Sequence, residues 1–452
     1  MEGAESHCAT DDFGALLIAL ATGTTRAGCV QDCADAPRLR RVEEKLMTST
    51  YVDEMDLPFI DFADPEYLSD PVRVLQRARQ QSWLARTSVF ELQVLSHRIA
   101  AEMMRNRMLD GPGAEIYHGQ GFTPLMSKYA REGMLPLIPE PPHDRIRNVL
   151  RRGFNPRMIL GQRKMMRDLA IELVDSFPGG GRCDLVSDFS HNYPITVVCR
   201  LMGIPAGDID LFNRWTTDLS LLGRFPIDPW VSRIDAALSG LYDYFRELVR
   251  QRQEEPGEDF VSAIIEAQTV EETLTEDEMF GALVNLLFAG QDTTRFQFSW
   301  LIYQLLTHRR QWERIIADPG LAQNAIEESM RHTPSQRIVL RRAVRDVEFG
   351  DVMFRAGTLV GINTLATNMD PEVFDSPEIF DIGRSNASKQ QIFGGGAHAC
   401  LGQVLARVEM TEALQVFAER FPKMDIAGEV HFTPSPVLVG PEQLPLRLGT
   451  SA

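Results

Sequence analysis

The run TEDEMFGALVNLLFAGQDTTRFQFSWLIYQLLTH, Thr275 to His308, constrains the fold more than any other part of the chain. As one helix its roughly 34 residues extend about 50 Å, far enough to cross a whole domain. Thr275 followed by Glu278 has the form of a capping box and marks the start. Gly290, Thr293 and Thr294, in the middle, are poor helix formers. Thr293 is placed to turn its hydroxyl toward the carbonyl of Ala289, four residues back, and loosen the ladder there. Ala289 and Thr293 share a face, and the small Ala289 and Gly290 are expected to leave room for a ligand.

Around this helix the chain reads as mainly α with a small β portion. From about residue 70 it is mostly amphipathic helix, broken by loops such as FPGGGRCDL (177–185) and LLGRFPIDPWV (221–231). VEFGDVMF (347–354) predicts a hairpin around Gly350-Asp351, and GTLVGINT (357–364) a following strand. There is no Rossmann-like alternation and no internal repeat. Residues 1–46 are expected to be a loosely ordered extension, and 47–452 a single domain. His7, Cys8, Cys29 and Cys33 in that extension form no CxxC pair, which argues against a metal site there.

The 46 basic residues against 63 acidic ones give a net charge of −17, which disfavours nucleic acid as a partner. No stretch reaches about 18 uninterrupted apolar residues, so no membrane span is expected. Gly14–Gly23 imitates a signal-peptide core, but Glu2, Glu5, Asp11 and Asp12 stand where basic residues belong. The six cysteines (Cys8, Cys29, Cys33, Cys183, Cys199 and Cys400) outline no disulfide framework. A cytoplasmic protein is expected.

FGGGAHACLG, Phe393 to Gly402, puts a cysteine after a glycine-rich turn and just before a predicted helix. Leu401, Val404, Leu405 and Val408 recur at i, i+3, i+4 and i+7 and predict an amphipathic helix. Unpaired N–H groups and the helix dipole there favour a thiolate, and the glycines permit positive φ and close approach of something large and flat. A reactive thiol, a metal ligand and a buried cysteine beside a satisfied histidine all fit Cys400 taken alone. The pattern F-x-x-G-x-H-x-C-x-G is more specific, fixing five identities over ten positions.

That segment resembles the haem-binding signature of the cytochrome P450 superfamily. The resemblance implies the cytochrome P450 fold, with a long central helix over haem b (iron protoporphyrin IX). Cys400 would then be the iron ligand, His398 would hydrogen-bond a propionate, and Phe393 would pack beside the thiolate. AGQDTT (289–294) is similar to the family's oxygen-activation motif, so that Asp292 and Thr293 would carry protons into the site beside Ala289 and Gly290. Glu328 and Arg331 in EESMR resemble the E-x-x-R motif, with Arg384 completing a buried network that supports the cysteine loop. On a generic helix the same pair is a solvated surface contact. His143 and Arg147, at i and i+4 in PPHDRIR, and Arg341 in RRAVRD would meet the propionates. Met369 departs from the pattern where a basic residue is common.

The resemblance spans about residues 47–452 and implies a monooxygenase that hydroxylates or epoxidises an apolar small molecule such as a steroid, terpenoid or fatty acid. Aromatic guests fit as well. Leu286, Ala289 and Thr293, then Ser335, Ile338 and Val339, then SPVLVG (435–440) are the expected walls of its pocket. Arg224 is a second-rank candidate for anchoring a substrate carboxylate. Without a flavin or iron–sulfur motif in the chain, electrons are expected from a ferredoxin or flavodoxin with its NAD(P)H-dependent reductase. Arg145, Arg151, Arg152 and Arg157 are candidates for its docking face, and the enzyme is expected to be a monomer. The alternatives are haem-thiolate chemistry of another kind (oxidative coupling, isomerisation or peroxygenation) and a haem-binding sensor. The acid–alcohol pair at 292 and 293 counts against a peroxide-driven enzyme. No G-x-S-x-G elbow, HExxH helix or Walker loop supports a hydrolase.

Overall fold

The structure, a computed structural model, describes residues 50–449 apart from 225, 269–272 and 434. The expected extension, its boundary at residue 47 and the Gly14–Gly23 run lie outside the described residues. The described chain divides into two units. In the smaller, residues 50–55 with Gly350–Met353, Thr50 pairs in parallel with Val352 and Tyr51 with Met353. The larger, Asp56–Phe349 with residues 354–449, carries everything described below except Gly350–Met353.

The larger unit is mainly helical, as the sequence predicts, with one six-stranded mixed sheet. Its strands are β1 (Phe59–Ile60), β2 (Leu84–Thr87), β3 (Leu92–Val94), β4 (Leu109–Asp110), β5 (Ile338–Ala343) and β6 (Leu359–Asn363), in the order β1-β2-β3-β6-β5-β4. Strand β6, inside the predicted GTLVGINT segment, runs parallel to β3 and antiparallel to β5, setting Val360 opposite Arg341. Asp110, on the edge strand β4, lies opposite Arg342. Short strands at Val347–Phe349 and Val352–Phe354 flank Gly350, whose φ of 65° suits glycine.

Six helices build the site: α1 (His97–Arg105), α2 (Pro142–Gly153), α3 (Asn192–Leu201), α4 (Glu276–Thr307), α5 (Ala322–His332) and α6 (Gln403–Arg420). Helix α4 is the long helix of the sequence. The Thr275 hydroxyl accepts from Glu278 N at 3.2 Å and the Glu278 carboxylate accepts from Thr275 N at 2.9 Å, so both halves of the capping box form. It packs against α3, α5 and α6 and is buried along most of its length. The room expected beside Gly290 is not there. A Cβ on Gly290 would lie 3.0 Å from Val198 on α3, so this glycine lets two helices approach rather than opening space for a ligand.

Helix α6 also departs from expectation. It starts at Gln403, leaving Leu401 outside, and is buried on nearly every side from Leu405 to Ala418. It touches α4, α5 and the helix Arg163–Asp175 at once, and a helix enclosed on several sides has no solvent face to make it amphipathic.

Between α5 and the chain that follows it lies a charge cluster closed to water. Glu328 and Arg331 are both 0% exposed and joined by two hydrogen bonds of 2.7 and 2.8 Å. Arg331 also donates to the carbonyls of Asn368, Pro377 and Ile379. Arg384 reaches Glu328 at 3.2 Å and donates to the carbonyls of Asp375, Ser376 and Ile379. The expected three-residue network therefore exists, and the guanidinium groups are satisfied largely by backbone. Met369 needs no cation of its own. It is buried against Arg331, while Arg79 donates to the carbonyls of Ala366 and Met369. Glu328→Gln leaves two guanidinium groups facing a neutral partner. We expect it to cost about 3–5 kcal/mol in urea unfolding, and Arg384→Leu, at the rim of the cluster, clearly less.

Candidate active site

The cysteine loop is shaped by backbone before any side chain acts. Cys400 N donates to the Phe393 carbonyl at 2.8 Å, and Gly394 and Gly396 turn the chain with φ of 65° and 67°. A Cβ on Gly396 would sit 2.2 Å from the Met104 carbonyl, so only glycine lets the loop close on the end of α1. Cys400 stands two residues before Gly402, the N-cap of α6. Burial by surrounding protein pushes its thiol pKa up, while N–H groups of Gly402 and Gln403 and the charges of Arg147 and Arg407 pull it down. The side chain is nonetheless accessible. A sulfur that is reachable, faced by two amides and flanked by two cations is a thiolate ligand position rather than core packing. Arg407 also lies over the Phe393 ring, 4.4 Å from its centroid, and pairs with Glu327.

Two chain segments bring further cations to this loop, and a third brings a carboxylate. On α2, Arg147 donates to the carbonyl of Ala399, next to Cys400, and His143 lies against His398 with ring centroids 3.9 Å apart. Burial, with the charges of His398 and Arg147, pushes His143 down to about 3, so it is neutral. His398 Nε2 meets Asp110 Oδ1 at 2.7 Å. Burial would raise the Asp110 carboxyl, but His398 and the N–H groups of Glu140 and Gly111 hold it below its ordinary value. Arg341 is 3% exposed, and burial lowers it to about 10.

The polar atoms left over are telling. Nε and Nη2 of Arg341 and Nδ1 of His398 are buried with no protein partner. A buried guanidinium with free donors is costly unless an anion meets it. Beside an accessible cysteine, this donor set fits a group that combines a soft metal with carboxylates, and haem is such a group. The sequence-predicted residues Cys400, Phe393, His398, His143, Arg147 and Arg341 are thus gathered around one loop.

On α4, Thr293 Oγ1 donates to the Ala289 carbonyl at 2.8 Å, as the sequence predicts. Ala289 is exposed although the helix around it is buried, so the free space lies on its face and not on that of Gly290. Asp292 has a partner that the sequence does not announce. Its carboxylate is paired with Arg295, 3.0 Å away on the same helix, and Arg295 in turn meets His191 Nδ1 at 3.3 Å.

The expected pocket walls do adjoin one another. Val439 N donates to the Ser335 carbonyl at 2.8 Å, Arg337 N to the Val437 carbonyl at 2.7 Å, and Trp300 Nε1 to the Val439 carbonyl at 2.8 Å. Ser335 and Ile338 are not wall surface, being 1% and 2% exposed, whereas Leu286, Val339, Val437 and Leu438 are only partly covered. Arg224 faces Glu442 at 3.8 Å in an exposed pair. Of the four arginines expected on a docking face, Arg145 is taken by Glu278 and the Thr273 carbonyl, and Arg152 donates to the Ala267 carbonyl. Arg151 and Arg157 are exposed.

The cytochrome P450 family profile matches residues 224–429, which include both α4 and the cysteine loop. Luteothin monooxygenase of Streptomyces thioluteus is 32% identical over 398 residues, 88% of this chain and 97% of that protein. The mycinamicin IV hydroxylase/epoxidase of Micromonospora griseorubida is 32% identical over 322 residues, covering 70% of this chain and 79% of that one. The solved structure of cytochrome P450 CYP109Q5 from Chondromyces apiculatus superposes with a TM-score of 0.79 at 26% identity, over 87% of this chain and 99% of the other. The chain belongs to the cytochrome P450 family. It is accordingly a P450 monooxygenase, an oxidoreductase of a family whose cofactor is haem-thiolate. Among the described residues of this P450, no helix is long and apolar enough to cross a membrane.

Sequence reasoning missed Asp110, which holds His398, and Arg407, which faces Cys400. Asp110 lies in RNRMLDGPG, a stretch without a motif, but Arg407 follows the cysteine within one signature-bearing segment and was within reach. It also missed Glu409 on α6, which is fully enclosed with Oε2 unpartnered, beside Thr294. Burial pushes its carboxyl from 4.5 up to about 8, against a lowering contact from Thr294. The folded protein then binds a proton more tightly than the unfolded chain. Stability linked to this group is complete below pH 4.5 and is lost as pH rises toward 8. We expect thermal unfolding across pH 5–8 to show the wild type losing on the order of 1 kcal/mol per pH unit relative to Glu409→Gln.

Proposed function

We propose that this P450 holds haem b through Cys400 and inserts one atom of O2 into an apolar small molecule, the other leaving as water with two electrons and two protons supplied. The observation that carries this reading is Cys400, an exposed residue whose thiol is faced by the N–H groups of Gly402 and Gln403 and flanked by Arg147 and Arg407. When bound, haem with an anionic thiolate ligand supplies the O–O-cleaving chemistry. Everything else falls to the chain.

Gly402, Gln403, Arg147 and Arg407 favour the anionic sulfur against the burial that raises its pKa. Arg341, through its free Nε and Nη2, would hold the carboxylates, with the unpartnered Nδ1 of His398 and with His143 beside them. Thr293 presents a hydroxyl on the open face of α4, already oriented by Ala289, and moves protons there. Asp292 passes protons inward from solvent once it leaves Arg295, which makes that ion pair the point of control. Leu286, Ala289, Val339 and Leu438 offer apolar surface with no charged group among them, which suits an apolar guest of steroid, terpenoid or fatty-acid type. The names of the relatives, a monooxygenase and a hydroxylase/epoxidase, support oxygen insertion at carbon. Electrons would come from a separate ferredoxin or flavodoxin with its reductase, docking where Arg151 and Arg157 project.

The absorption spectrum of the dithionite-reduced protein under carbon monoxide tests the ligand. A strongly red-shifted Soret band is expected in the wild type and its loss in Cys400→Ala. Haem bound without that band would defeat the thiolate assignment. In turnover with a surrogate ferredoxin, Thr293→Ala is expected to release most of its reducing equivalents as peroxide.

A further inference from the structure

Ser335, three residues past the end of α5, is 1% exposed, and each of its polar groups is bound to a different part of the fold. Its N–H donates to Gln297 Oε1 at 2.9 Å, its carbonyl accepts from Val439 N at 2.8 Å, and its hydroxyl donates to the Thr293 carbonyl at 3.2 Å. Gln297, one turn beyond Thr293 on α4, fastens the same joint from the other side. Its Nε2 donates to Ser329 Oγ at 3.1 Å and to the Thr333 carbonyl at 3.3 Å.

The Thr293 unit is therefore gripped at both ends. Its hydroxyl is tied back to Ala289 O, a bond that competes with the regular ladder and loosens the turn. A loosened turn has more than one tilt available, and a donor on the Thr293 carbonyl selects one of them. That donor comes from outside the helix, on a residue whose other two bonds fix it to α4 and to the loop at Val439. Ser335 thus has the means to set the direction in which the Thr293 hydroxyl faces the open space.

We propose that Ser335 is a positioning residue for Thr293: its hydroxyl, anchored through Gln297 and Val439, holds the Thr293 peptide at the tilt that aims the threonine hydroxyl into the site. This rests on Thr293 being the proton-handling hydroxyl, so the test separates the two claims. Holoenzyme, Ser335→Ala and Thr293→Ala are compared by the infrared C–O stretch of carbon monoxide on the reduced protein, which senses a hydroxyl beside the bound gas. They are also compared by peroxide formed per NAD(P)H consumed. We expect Ser335→Ala to shift or split the C–O band toward its position in Thr293→Ala, and to raise the peroxide share about fivefold, the factor of one ordinary hydrogen bond. Ser335→Cys, nearly isosteric with a weak donor, is expected to behave the same way and serves if the alanine variant does not accumulate. Wild-type band and peroxide share in the Ser335 variants, with both altered in Thr293→Ala, overturn this proposal alone, even if unfolding temperature falls. A Thr293→Ala protein unchanged in both overturns the threonine reading and this proposal together.

Discussion

Two charges with no water around them, Glu328 and Arg331, anchor the part of the chain on which the site is assembled. Such a pair adds little stability over an apolar substitute, because desolvation consumes most of the attraction. What it imposes is geometry. Arg331 and Arg384 bind five different carbonyls between Asn368 and Ile379, so a stretch with little regular structure is held by directional bonds. Asn368 then passes the constraint on, its side-chain oxygen accepting from Gln391 N two residues before the cysteine motif begins. The loop that presents Cys400 is thus referenced to α5 through hydrogen bonds.

The opposite arrangement prevails one layer away. Around Glu328 the donors are answered by protein, whereas Arg341 keeps two donors, and His398 its Nδ1, without a partner in equally buried positions. Both are nitrogen-bearing side chains on rigid supports, Arg341 in the interior of the sheet and His398 against Asp110. The difference in satisfaction, rather than in charge or burial, separates a structural cluster from one shaped for an anionic guest.

How far this was legible in the sequence follows from the range of each interaction. The capping box, the Thr293–Ala289 bond and the Glu328–Arg331 pair are local, within four residues, so spacing alone exposed them. The cysteine loop was legible because its glycines, its histidine and its cysteine are contiguous. Gly290 was misread because what a missing side chain admits depends on the neighbour, here Val198 on α3. Beyond its neighbour Gly111, the partners of Asp110 lie at positions 140 and 398, and those of Ser335 at 293, 297 and 439, distances that no periodicity encodes. Asp292 is the instructive exception. Its partner Arg295 is only three residues away, at helical spacing, but the functional motif drew the reading toward chemistry and away from the ion pair.

Helix α4 shows why a buried catalytic helix carries so many polar residues. An apolar cylinder in an apolar surround adjusts its rotation in small steps at little cost, and a rotation that suits packing need not suit Thr293. Gln297 and Gln304, two turns apart, remove that freedom by bonding to Ser329, Thr333 and His332 at the C-terminal end of α5 and just beyond it. Ser335 adds a contact directly at the Thr293 carbonyl. Unlike dispersion contacts, these bonds weaken steeply when misaligned, so they specify rotation as well as separation. The rotation of α4 is therefore set by α5, the helix that carries Glu328 and Arg331. One buried ion pair thus references the cysteine on one side and the threonine on the other, which is what a reaction between two facing groups requires of a scaffold.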